Sequence, residues 1–115
     1  MNIINSSKEL NARETYSLTR DAKIQKMSDA VGHVITPDMW VLYEDQTITR
    51  SGELEVRNVL SIRDVNGSTF ATVSRTFIDE FGAMAEIFEN DIPPILVISS
   101  KSKAGRDFIT CALAD

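Results

Sequence analysis

The chain is poor in the residues that build redox and metal chemistry. It has one cysteine, Cys111, and one histidine, His33, in 115 residues. One cysteine closes no internal disulfide, which fits a reducing compartment and a cytoplasmic location. A cysteine and a histidine so far apart in sequence are a weak basis for a zinc site or a thiol nucleophile. Long apolar runs are also missing: none approaches the roughly 20 residues that span a bilayer. The opening MNIINSSKEL has no basic patch leading into an apolar stretch, so no secretory signal is expected. Positive charge is scarce, with 12 Lys and Arg against 17 Asp and Glu and a net charge of −5. That balance disfavours tight binding to duplex DNA, although the local charge of a site matters more than the sum.

Catalytic constellations are absent as well. Glu44 and Asp45 are adjacent, so on a strand they point to opposite faces and share neither a proton nor a metal. Asp79, Glu80, Glu86 and Glu89 fit a solvated helix face, and Ser99, Ser100 and Ser102 have no histidine partner in view. The expectation is a non-enzyme that needs no metal and no cofactor and does not enter membranes.

What is present is enough for one domain with a real core: 43% of residues are hydrophobic. The charge is unevenly spread. Residues 1–35 carry a net +1, 36–64 a net −3, 65–95 a net −4 and 96–115 a net +1. Residues 1–30 read as a polar segment of one or two short helices, with SLTRD as a break, that either packs over the end of a main domain of residues 31–115 or serves as an arm.

From Val31 the period becomes two. VGHVITPDMWVLYED alternates Met39, Val41 and Tyr43 with Trp40 and Leu42, which predicts a long, buried strand bent near Gly32 or Pro37. QTITRSGE reads as a loop with Ser51 and Gly52 at its tip. LEVRNVLSIRD puts Val56, Leu60 and Ile62 on one face and Arg57, Ser61 and Arg63 on the other. Asn66-Gly67 then signals a hairpin turn into STFATVS.

In TFIDEFGAMAEIFEN the period shifts to 3.6, with Phe77, Phe81, Met84 and Phe88 forming one apolar stripe. Thr76 with Asp79 reads as a cap, Asp79 and Glu80 suit the helix N-terminus, and Asn90 and Pro93-Pro94 end the helix. ILVISS and DFITCALA are two more strands, joined by KSKAGR with Gly105 in the turn. Three strands, a helix and two strands is the order of the OB-fold, a five-stranded barrel plugged by one helix.

OB-folds hold single strands on aromatic faces and positive groups. Trp40, Tyr43 and Phe70 are the strand aromatics that can stack on bases or, equally, serve as core. Beside Glu44 and Asp45, Tyr43 is the one expected at the surface. Arg57 and Arg63 share a face that can track phosphates. Lys101, Lys103 and Arg106 crowd around the Gly105 turn, either as a solvated tip that resists edge pairing or as a grip on an anion. KSKAGR lacks the spacing of a P-loop.

Tyr43 within VLYED, VLSIRDVNG, STFATVSRT and SSKSKAGRDF together resemble the single-stranded DNA-binding proteins of small protein-primed Bacillus phages, over Val31 to Leu113. The resemblance implies an OB-like protein that coats displaced strands during phage DNA replication without sequence specificity, in the host cytoplasm. It places Tyr43 and Phe70 at family aromatic positions, Phe70 standing for a tyrosine, and Lys103 at the hairpin lysine. The family's aromatic in the loop after the first strand has no counterpart in ITRSGELE. The first 30 residues also differ, and self-association is one role open to them. The acidic middle of the chain supports a competing expectation, a small acidic phage protein that binds and inhibits a host protein.

Overall fold

The computed structural model describes residues 1–89 and 91–114. The protein is mainly β, with two α-helices. In chain order it runs β1 (Asn2–Ser6), α1 (Ala12–Thr19), β2 (Gln25–Lys26), a 3-10 turn (Met27–Ala30), β3 (Val34–Ile35), β4 (Pro37–Ile48), β5 (Leu54–Asp64) and β6 (Thr69–Thr72), then α2 (Arg75–Phe88), β7 (Ile95–Lys101) and β8 (Asp107–Leu113). No described helix is long and apolar enough to cross a membrane.

The strands form two sheets, of order β1-β4-β5-β6-β2 and β3-β7-β8. The long, bent strand expected from Val31 onward is the pair β3 and β4, and the bend at Thr36 passes the chain from one sheet to the other. Asp64 fixes that bend. Its buried carboxylate accepts hydrogen bonds from the Thr36 amide at 2.6 Å and from the Asn66 amide at 3.2 Å. The same carboxylate orders the turn after β5, where Gly67 takes φ 95°. Four residues, 65–68, separate β5 from β6, so the loop is wider than the two-residue hairpin expected at Asn66-Gly67.

The strand and helix order from β4 onward matches the expected one, but no ladder joins β6 to β8 among the described residues. The sheets stay open. What bridges that seam is a side chain: Ser74 Oγ donates to the Ile109 carbonyl at 2.9 Å. Ser74 is also the N-cap of α2, accepting from the Phe77 amide. This corrects the expected cap at Thr76, which lies inside the helix, and Asp79 and Glu80 fall beyond the first turn. The expected closure by Asn90 lies outside the described residues.

The main core lies between the sheets and α2. Phe77, Phe81 and Met84 pack there with Trp40, Leu60, Ile62, Ile95 and Val97. A second, smaller core lies on the opposite face of β4 and β5, where Leu18 and Leu10 cover Met39, Val41, Tyr43 and Val59.

Of the two roles open to residues 1–30, the second core shows packing on the main domain and not a free arm, and the purely helical reading is corrected. The segment begins with a strand, β1, which pairs antiparallel with β4, and β2 pairs parallel with β6. Met27 and Ala30 belong to the main core. The helical part is α1 alone, started by an Asn11–Glu14 capping box and ending within SLTRD. The segment is built into the fold because Leu18, Met27 and Ala30 give it apolar surface to bury, and a polar arm would have none.

Candidate functional site

The open seam between β6 and β8 is the place where backbone, aromatic and positive groups meet. Two adjoining cavities run along it, of about 430 Å³ and about 550 Å³. They share Ser28, Thr72, Val73 and Ile109. Tyr43, Asp45 and Arg57 line one end, together with Lys26. Arg75, Ser99, Asp107 and Phe108 line the other.

Each group has a local reason for its place. Arg57 stands opposite Asp45 in the β4–β5 ladder, on the face that also carries Tyr43 and Val59. Phe108 stands opposite Ser100, one rung from the Lys101–Asp107 pair that ends the β7–β8 hairpin. The tip of that hairpin turns on Gly105, at φ 80°. Its amide donates to Ser102, and Ser102 and Arg106 close the loop by a backbone bond of 2.9 Å. Lys101, Lys103 and Arg106 are all exposed there. Among the described residues the ion pairs are Lys8–Glu14 and a long Arg75–Asp79 contact of 3.9 Å. Lys26, Arg57, Lys101, Lys103 and Arg106 therefore have no described carboxylate within ion-pair distance.

The eight residues singled out in the sequence separate into groups. Tyr43 and Arg57 come together at one end of the groove, and Lys101, Lys103 and Arg106 sit on the hairpin beyond its other end. Arg63 is apart from both. It is half-buried beside α1, where its charge helps, behind the hydrogen bonds from Lys8 and the Asn11 amide, to hold the Glu14 carboxyl below its ordinary range.

Trp40 lies on the other face of β4, 8% exposed, with its ring edge-on to Phe81 at 5.5 Å. Phe70, paired with Ile62, packs half-buried against the main core. Trp40 is core because it faces α2 through Phe81, and Phe70 packs on the core side of β6, where it lines a small cavity with Ala30, His33 and Ile35.

Tyr43 differs from its expected place. It is 6% exposed, covered by α1, with only an edge on the groove. Burial, and next the charge of Asp45, push its hydroxyl above the ordinary tyrosine range, against the opposing pull of Arg20 and Arg57. Adjacency to Glu44 and Asp45 suggested a surface position. The helix that covers Tyr43 comes from a distant part of the chain and leaves no trace in the local pattern.

The groove also holds residues that sequence reasoning passed over: Lys26, Arg75, Phe108 and Val73. Phe108 had a visible signal, an aromatic immediately after the basic hairpin. Lys26 had none, because a two-residue strand has no period.

Among the described residues no group of three or more His, Cys, Asp or Glu side chains is placed to hold a metal ion. Cys111 is buried in the main core, which pushes its thiol up to about 12. No protein-family model matches the chain, and neither a curated protein nor a solved structure matches it.

Proposed function

We propose that the protein binds single-stranded DNA without sequence specificity, coating strands displaced during phage DNA replication in the bacterial cytoplasm. The observation that carries this reading is the groove along the open seam, bordered by Lys26 and Arg57 and by the hairpin cations beyond its end, none of which has a described carboxylate within ion-pair distance. In this reading the domain is an OB-like barrel left partly open. β3 and β4 are its bent first strand, β5 and β6 the second and third, α2 the plug, and β7 and β8 the last two.

A single strand would enter with its phosphates against Lys26, Arg57 and Arg75 and against the hairpin cations Lys101, Lys103 and Arg106. Neutralised phosphates release counterions, which supplies affinity that falls with salt. Phe108 offers a face to bases, and such stacking tolerates any sequence. Asp45 and Asp107 limit the field, so binding is weaker than the number of cations alone implies.

The reading is tested by gel shift with oligo-dT and with a duplex of the same length at low salt. It predicts retardation of the single strand in preference to the duplex, and absence of any shift with oligo-dT contradicts it. The run of acids along α2 and its C-terminal cap, Asp79, Glu80, Glu86 and Glu89, favours the second reading, an inhibitor of a host protein. Stoichiometric capture of one host protein, with no DNA binding, would support that reading instead.

A further inference from the structure

The β4–β5 hairpin continues well past the sheet. The pairing of β1 with β4 ends at Glu44, and that of β6 with β5 ends at Leu60. Beyond those points the two strands pair only with each other, through Gln46–Val56 and Ile48–Leu54. A two-stranded ribbon is marginally stable by itself. One face of this one is apolar and open to solvent: Ile48 is 76% exposed, Leu54 64% and Val56 51%. Arg50 sits exposed in the turn at its tip, close to Gly52 at φ 82°.

On the same face of the same hairpin, nearer its base, is a cleft of about 450 Å³ between β4, the edge strand β1 and α2. Its floor is Trp40, Leu42, Leu60 and Phe81, and Glu86 and Glu89 stand on its α2 rim. Those two acids lie at the C-terminal end of α2, where the helix dipole already disfavours negative charge, and the last turn has no basic residue. No described cation lies within ion-pair distance of either.

We infer that the ribbon of one copy seats in the cleft of a second copy, with Ile48 and Leu54 against the apolar floor and Arg50 against Glu86 and Glu89. The two patches match in apolar character, and at the ribbon tip Arg50, which shares its turn with the exposed Glu53, is the cation that reaches rim acids with no described cation within ion-pair distance. Along β4 the cleft at Leu42 and the ribbon at Ile48 are about 20 Å apart, at ~3.4 Å per residue. Because both patches lie on one face, a two-fold axis midway between them makes both contacts at once. The product is a closed dimer. This inference does not rest on the nucleic-acid reading.

The test is sedimentation velocity of the full chain, without nucleic acid, from micromolar to millimolar concentration. The wild type is expected to pass from monomer to dimer, with a change in emission of Trp40, the single tryptophan, on the cleft floor. Arg50→Glu, or Glu86→Arg with Glu89→Arg, should each weaken the dimer at least about tenfold, since like charges then face each other. All three substitutions in one chain should restore it, as should mixing the two variants. A second control uses the backbone. Glu89 is the only non-glycine residue described with positive φ, at 56°, so Glu89→Gly should hold or raise thermal stability while weakening the dimer. A wild type that stays monomeric throughout, or reversals that fail to compensate, would overturn the inference. Either result leaves DNA binding untouched, and failure to bind oligo-dT leaves the dimer untouched.

Discussion

Leu18 and Tyr43 meet on the outer face of β4, and that contact decides what Tyr43 can do. Leu18 is fully buried in the small core that holds the tyrosine. Leu18→Ala should cost about 2–5 kcal/mol, the range for a truncated core leucine. It should also uncover the phenol, visible as a lower stability in urea together with a tyrosine that titrates nearer its ordinary range. Ser61 lies on the same face with its Oγ fully buried and without a protein hydrogen-bond partner among the described residues. Burying a hydroxyl in that way costs about 1–3 kcal/mol, so Ser61→Ala should leave urea stability unchanged or raise it.

Cys111 makes a pH prediction. Its thiol has a raised pKa when folded, about 12 against the ordinary 9.0. Between those values the unfolded chain has lost the proton that the folded chain keeps, so stability falls as pH rises from about 9 to about 12. Tyr43 acts in the same direction above 10.0. Unfolding curves at stepped alkaline pH check the sign, and Cys111→Ala should flatten the decline at its lower end.

Two elements owe their placement to single polar groups. Asp64 ties the β3–β4 bend to the turn after β5, and Ser74 both caps α2 and spans the seam. Asp64→Ala and Ser74→Ala should each lower stability by about 1–3 kcal/mol, measured by urea unfolding. Ser74→Ala should in addition loosen the seam, seen as faster amide exchange along β8.

The run from β4 to β8 was legible because its periods change cleanly, from alternation in β4 and β5 to the Phe77–Phe81–Met84 stripe and back. What was illegible arose from pairing over long distances. β1 is five residues of mixed polarity, NIINS, and becomes a strand only because β4 offers an edge. β2 and β3 are two residues each, too short for any pattern. Arg57 and the hairpin cations were visible as candidates, since charge on a predicted outward face or turn needs no tertiary information. The burial of Tyr43 and the separation of Arg63 from the groove depended on where α1 comes to rest.

Across the molecule, Asp79, Glu80, Glu86 and Glu89 lie on or at the end of α2, while Lys26 and Arg57 on the seam and Lys101, Lys103 and Arg106 on the β7–β8 hairpin have no described carboxylate within ion-pair distance. In the proposed reading those cations hold phosphates, and the salt dependence of binding reads their contribution directly. Trp40 and Tyr43 are buried, so quenching of intrinsic fluorescence is a poor reporter, and the anisotropy of a labelled oligo-dT is the better one. The decisive measurement is the slope of log K against log salt for the wild type and for the Lys101→Ala, Lys103→Ala double variant. Each phosphate contact on a single strand contributes a slope of about −0.7, so the variant should bind more weakly with a slope shallower by about 1.4. No binding by the wild type at low salt, or an unchanged slope in the variant, would contradict the account.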